Sequence, residues 1–339
     1  PIGIDKNRNV IYITEKELSM HSLVFGSTGS GKTEYLKTLA GSLLDLGWSG
    51  MVLDLKEDIG KGGLREWCED YATNHSIKFQ EISLSSPNPE FWFSPLDGVT
   101  PDQARDTILA SQIFEDAYYR SLNENQLGQL INLLYACHEV DPSSYPEPTV
   151  YEIGRILSQG NLRDATSPMV KLVLANLEHF TIDDFNTVVK PDKIFTDTAA
   201  GLGARLTAMY QTKVGRTILK SGEGREKLNV ISEGLIYVGL SSGSMPEISR
   251  LISTSILRRL AVLVADRISN RSRERKSTND EYSRRFIIVD EANFVERKIL
   301  LELLSRARSA NVVLIVCTQG PSDWAPRVQG EPDLTSLVT

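Results

Sequence analysis

Residues 26–33 read Gly-Ser-Thr-Gly-Ser-Gly-Lys-Thr, a complete G-x-x-x-x-G-K-[ST] pattern. Residue types at this spacing can hold a string of phosphates. Glycines let the backbone wrap until its N–H groups face phosphate oxygens, and a helix starting at the end of the loop adds partial positive charge. The pattern predicts a cradle of Gly26, Ser27, Thr28, Gly29, Ser30, Gly31, Lys32 and Thr33. In it, Lys32 reaches the β- and γ-phosphates and the Thr33 hydroxyl ligates Mg²⁺. ATP and Mg²⁺ are therefore the expected cofactors. A chance glycine-rich turn would not need a strand before it and a helix after it. Here Ser22–Phe25 reads as a strand, and Leu36, Leu39, Ala40, Leu43 and Leu44 form one apolar helix face ending at Gly47.

A second set of residues completes the chemistry. Phe286-Ile-Ile-Val-Asp290-Glu291 reads as a buried strand that ends in two acids. Asp290 is expected to hold Mg²⁺ through its water shell, and Glu291 to polarise the attacking water. Gln319 ends the next strand, where an amide can sense the γ-phosphate. Arg306 and Arg308 close the helix between those strands. They read either as solvated arginines suited to a helix C-terminus or as an arginine offered to a neighbouring subunit's γ-phosphate, with Arg308 the favoured one. Asp54, Lys56 and Glu57 follow the strand Met51–Leu55, with a solvated loop and a functional role equally open. Arg267, Arg271, Arg273, Arg275, Lys276, Arg284 and Arg285 form a basic stretch, read chiefly as an exposed connection. Phe91-Trp92-Phe93 reads as core packing rather than a platform for bases.

The elements that must position these residues alternate between strand and helix at both ends of the chain. Strands are expected near Val10–Thr14, Ser22–Phe25, Met51–Leu55, Ile77–Leu84, Leu235–Leu240, Phe286–Asp290 and Val312–Val316. Helices are expected at Lys32–Leu46, Pro246–Ile268 and Lys298–Arg308. The β–loop–α–β order implies a parallel sheet. Between Pro101 and Leu219 the strand patterns vanish and helical ones take over, at Ala104–Tyr119, Gln126–His138, Val150–Ser158 and Ser167–His179. This gives three blocks: 1–100 with the P-loop, an all-α insertion at 101–200, and 201–339 with the paired acids and Gln319.

The 339 residues carry a net charge of −7, so no global positive field draws the chain to nucleic acid; any DNA site must be a local patch or channel lining. The three cysteines, Cys68, Cys137 and Cys317, are too few and too scattered for a disulfide framework or zinc site. No run of 18 apolar residues is present, and Pro1 in place of Met reads as part of a longer protein.

Five segments carry a family resemblance: HSLVFGSTGSGKT (21–33), MVLDLKED (51–58), FWFSPLDGV (91–99), FIIVDEA (286–292) and SRARSANVVLIVCTQGPSDW (305–324). Together they resemble the FtsK–HerA superfamily of hexameric DNA-pumping motors, and most of all the TraD/TraG coupling proteins of type IV secretion and conjugation. Those show D-P-K-G-E, F-N-P-L-D and a strand ending in T-Q-S. Here Leu55 stands for the proline, Glu57-Asp58 for G-E, Ser94 for the asparagine and Gly320 for the serine. The resemblance implies a RecA-like P-loop α/β core with a mainly parallel sheet and an inserted all-α domain facing DNA and cargo. It implies a homohexamer in which Arg308, eleven residues before Gln319, acts in trans. It implies DNA, a relaxase or other secreted cargo, and type IV secretion components as partners. The expected place is the cytoplasmic face of the bacterial inner membrane, reached through an anchor outside this sequence.

The expected function is ATP-driven DNA translocation toward a secretion channel. Another translocase of the superfamily, or a type IV secretion ATPase that energises protein export, is the nearest alternative. An ATP-ordered adaptor that recruits cargo without processive turnover is the alternative of another class. DNA-stimulated ATPase activity separates the motor from both the export ATPase and the adaptor.

Overall fold

The computed structural model of the chain describes residues 3–27, 29–57, 60–114, 116–158, 162–189, 197–222, 224–273 and 283–325. The chain divides into two compact units, Pro1–Trp92 with Ser221–Thr339, and Phe93–Lys220.

In the first unit, β1 (Gly3–Ile4) and β2 (Val10–Ile11) pair antiparallel, and a one-turn α1 (Glu15–Leu18) follows. The strand expected over Val10–Thr14 is thus two residues long. Next come β3 (Ser22–Phe25), α2 (Lys32–Asp45), β4 (Ser49–Asp54), α3 (Leu64–Asn74), β5 (Phe79–Ser83) and β6 (Phe91–Trp92).

The second unit is helical among its described residues: α4 (Pro101–Ser111), α5 (Ala117–Val140), α6 (Val150–Leu157), α7 (Leu162–Ala175), α8 (Ile182–Val189), α9 (Asp197–Gln211) and α10 (Lys213–Ile218). It runs wider than 101–200, because α9 and α10 pack within it and Phe93 is fully buried. The helix expected over Ala104–Tyr119 is two helices. Thr100 and Gln103 form a capping box at the start of α4, and the Asp116 carboxylate accepts the Tyr118 N–H at 2.7 Å to start α5.

The first unit then resumes with β7 (Glu226–Lys227), β8 (Leu235–Gly239), α11 (Pro246–Arg273), β9 (Arg285–Asp290), α12 (Arg297–Arg306) and β10 (Val312–Thr318). Six strands form one sheet in the order β3-β10-β9-β4-β8-β5, every neighbouring pair parallel. Strands β4, β9 and β10 are buried along their whole length, which is why they read as unbroken apolar runs rather than alternating ones. Under one face lie Leu36, Leu39 and Leu43 of α2 with Cys68 of α3, packed on Tyr237, Ile288 and Ile315.

Helix α2 stops as its sequence requires. Gly47 takes φ +79°, its N–H donates to the Leu44 carbonyl, and the Trp48 N–H donates to the Leu43 carbonyl. Side-chain size also fixes the sheet. Gly50 lies in register with Phe286, and a Cβ there would meet the ring at 2.2 Å.

The basic stretch is not simply a solvated connection. Arg267 donates to the Ser283 and Ala310 carbonyls, and Arg285, 1% exposed, donates to the Ile231 and Ser232 carbonyls at 2.8 Å. These guanidiniums tie off backbone acceptors at the amino end of the sheet. Burial, with Arg267 nearby, pulls Arg285 down to about 10. The side chains of Arg271, Arg273, Arg275 and Lys276 lie outside the described residues.

Candidate active site

Strands β3, β10, β9 and β4 bring their carboxyl ends to one edge of the sheet, and a cavity of about 330 Å³ opens there. Its walls include Ser27, Gly29, Gly31, Lys32 and Thr33 from the glycine loop, Asp54 and Lys56 from the end of β4, and Asp290 and Glu291 from the end of β9.

The glycine loop hangs between β3 and α2. Its first residue is tied to the neighbouring strand, the Gly26 N–H donating to the Thr318 carbonyl at 3.2 Å. Gly29 and Gly31 sit at φ +82° and +86°, a left-handed conformation that side-chained residues resist. Thr28, expected in the cradle, lies outside the described residues. Thr33 is half-buried in the first turn of α2, where the unpaired N–H groups of a helix start point outward.

Lys32 and the two acids meet. The Lys32 Nζ lies 3.3 Å from Asp290 Oδ1 and 3.3 Å from Glu291 Oε1. Burial acts to lower the Lys32 pKa, but the two carboxylates outweigh it and the net shift is upward. Asp290 is pushed up by burial, against the pull of Lys32. Glu291 takes φ +54°, which turns the chain sharply out of β9, and is only 6% exposed.

Gln319 joins the same cluster. Its Nε2 stands 3.4 Å from both Glu291 carboxylate oxygens, and its own N–H donates to Asp323 Oδ2 at 3.0 Å. Asp323 is held in turn, since the buried Arg297 at the start of α12 donates to its carbonyl at 2.8 Å and to those of Trp324 and Ala325. The loop after β10 is thereby braced against α12.

Asp54 is a cavity residue that the sequence left open. It lies in register with Asp290 across β4 and β9. Its Oδ2 accepts the Tyr237 hydroxyl at 2.9 Å, and its Oδ1 accepts the N–H groups of Lys56 at 3.1 Å and Glu57 at 2.8 Å. Burial raises its pKa, and the neighbouring Asp290 adds to the rise. Tyr237 gave no sequence signal beyond a polar atom in an otherwise apolar strand. The Asp323 and Arg297 brace gave none beyond Pro321 in a turn.

Arg308 does not join the cavity. It is exposed in a short turn over Ala307–Ala310, just before the amino end of β10. Gln319 follows the other end of that seven-residue strand, which places Arg308 about 20 Å away across the sheet. Beside it, His21 precedes β3 and accepts the Leu314 N–H on Nδ1 at 3.0 Å. Burial, then the nearby Arg308 charge, depress the His21 pKa. His21 is a latch between strands, not a ligand.

The donor set suits Mg²⁺ and a triphosphate. Thr33 and Asp290 offer a hydroxyl and a carboxylate to one cavity, which are hard oxygen donors. The loop and the start of α2 offer backbone N–H groups and Lys32 offers charge.

Residues 2–137 match the family described as helicase HerA, central domain. No curated protein sequence matches the chain. Among solved structures, the plasmid coupling protein TrwB bound to a non-hydrolysable GTP analogue superposes with a TM-score of 0.54 at 13% identity, over 90% of this chain and 65% of that one. A trigonal form of the same bacterial conjugative coupling protein, with sulphate, gives 0.57 at 14% identity, over 94% and 68%. VirB4 of Thermoanaerobacter pseudethanolicus gives 0.54 at 13% identity, over 96% and 78%. Other TrwB structures hold an ATP analogue, or ADP with Mg²⁺. The chain spans about 65% of the length of the TrwB chain named first. Motif and fold agree: residues 2–137 match the HerA central domain, and the chain shares with TrwB and VirB4 a P-loop α/β fold with a mainly parallel sheet.

Proposed function

We propose that the chain hydrolyses ATP at this cavity and uses the cycle to move DNA in a type IV secretion or conjugation system. The convergence of Lys32, Asp290, Glu291 and Gln319 within 3.3–3.4 Å contacts carries the hydrolytic part. Bound phosphates give Lys32 a new partner in place of the two carboxylates. Asp290 and Thr33 would hold Mg²⁺, which would supply charge neutralisation for the phosphates. Glu291 accepts a proton from the attacking water, and Gln319 reads whether a γ-phosphate is present. The Asp323 and Arg297 brace then links Gln319 to α12, whose end leads to Arg308. In a homohexamer, Arg308 meets the neighbour's γ-phosphate, which its distance from its own cavity permits.

The DNA part rests on the likeness to a conjugative coupling protein and on the HerA match. That likeness also supports a place at the cytoplasmic face of the bacterial inner membrane and a relaxase or similar cargo as partner. No helix among the described residues is long and apolar enough to cross a membrane. A second reading, a secretion ATPase that drives protein export, is favoured by the VirB4 match, which takes in more of that chain than the TrwB match does of TrwB.

Mg²⁺-dependent phosphate release from ATP by the wild-type chain and by Lys32→Ala tests the hydrolytic core. The variant is expected to be inactive; turnover equal to wild type refutes the site.

A further inference from the structure

Among the described residues, two cations line the cavity, Lys32 and Lys56, with four acids, Glu34, Asp54, Asp290 and Glu291. Lys32 is shared by Asp290 and Glu291, so an incoming triphosphate meets a wall with more negative than positive charge. Lys56 enters that wall from β4, beyond β9 in the strand order β3-β10-β9-β4. Glu291 and Lys56 face the same cavity as the glycine loop, one from the end of β9 and the other from the end of the adjacent β4.

The backbone on which Lys56 stands is pinned. Asp54 Oδ1 accepts the N–H groups of both Lys56 and Glu57. Glu57 takes φ +52°, the left-handed region, in the place where the resembling pattern has glycine. Its carboxylate is turned inward, at 5% exposure. There it accepts the Ser83 hydroxyl, the Ser85 N–H at 3.0 Å and the Ser85 hydroxyl at 2.9 Å. A merely solvated lysine loop needs no buried carboxylate clamp; strain held by surrounding bonds is characteristic of ligand clamps.

We propose that Lys56 is a second phosphate-binding cation, contacting the terminal phosphoryl group of the bound triphosphate, and that Glu57 is the residue that positions it. This rests on the cavity being the ATP site proposed above.

The test is equilibrium binding of fluorescent AMP-PNP and fluorescent ADP, both with Mg²⁺, to the whole chain. Lys56→Gln is expected to weaken the triphosphate analogue about tenfold or more, the scale of one charge-assisted phosphate contact, with ADP within about twofold. Lys56→Arg keeps the charge and is expected to stay within about threefold of wild type. Glu57→Gly accepts the φ but deletes the clamp, and is expected to lose triphosphate affinity selectively. Ser85→Ala removes one of the clamp's three contacts, the Ser85 hydroxyl, without altering Glu57, and shows the same direction should Glu57→Gly unfold. If Lys56→Gln weakens both nucleotides equally, or neither, Lys56 is not a terminal-phosphate contact. Unchanged triphosphate affinity in the clamp variants overturns the positioning role. Wild-type protein that binds neither nucleotide refutes the ATP site itself, a distinct result.

Discussion

Glu291→Gln separates binding from chemistry. The side chain is 6% exposed, with Oε1 3.3 Å from the Lys32 Nζ and 3.4 Å from Gln319 Nε2. Glutamine fills the same volume but cannot take a proton from water. Loss of a positioned general base costs about 10²–10⁴ in rate, so turnover should fall by that factor. Nucleotide affinity should move the other way. The change removes one negative charge beside Lys32, and two unit charges 4 Å apart interact by about 4 kcal/mol at a near-surface dielectric. Most of that is screened in a cavity open to water, so triphosphate should bind at least as tightly as in wild type and up to about tenfold more tightly. Single-turnover phosphate release beside equilibrium binding of a fluorescent ATP analogue reads both quantities. A variant that hydrolyses within tenfold of wild type, while Asp290→Asn binds but does not hydrolyse, shows that the two acids have exchanged roles.

Three further outcomes are expected. Arg308→Ala should lower ATPase in an assembled ring by about 10³-fold or more while leaving nucleotide affinity nearly unchanged, and normal turnover in the ring would move the trans arginine elsewhere. His21→Asn keeps an acceptor for the Leu314 N–H but cannot titrate; because the His21 pKa lies below 6.5 in the folded chain, its contribution is present above 6.5 and lost as pH falls through the folded value. Wild type should therefore lose more Tm than His21→Asn between pH 7.5 and 5, and parallel losses would contradict this. Gly50→Ala should cost about 1–3 kcal/mol in urea unfolding, since the added Cβ meets the Phe286 ring, and an unchanged midpoint would show that the ring can move aside.

The parts of the site that were legible in the sequence are those whose chemistry is contiguous. The glycine loop occupies eight successive residues, and Asp290 and Glu291 close a single apolar run that could only be a buried strand. The parallel sheet followed from strand runs without alternation, joined through helices. What was hidden depends on partners far apart in the chain. Asp54 becomes a cavity residue through Tyr237, and Glu57 turns inward because Ser83 and Ser85 receive it. Arg285 looked like surface charge, yet it closes carbonyls at 231 and 232 that composition cannot reveal. The break between α4 and α5 was missed for a local reason, since Ile113 and Phe114 carry an apolar pattern across a gap that the Asp116 cap creates.

The central claim, ATP hydrolysis coupled to DNA movement, is tested most directly by phosphate release with and without single- and double-stranded DNA. It should be measured at rising protein concentration, with Lys32→Ala alongside. The account predicts hydrolysis that rises several-fold with at least one form of DNA, steepens with protein concentration as rings form, and vanishes in Lys32→Ala. Robust, Lys32-dependent hydrolysis that neither form of DNA changes at any concentration would contradict it.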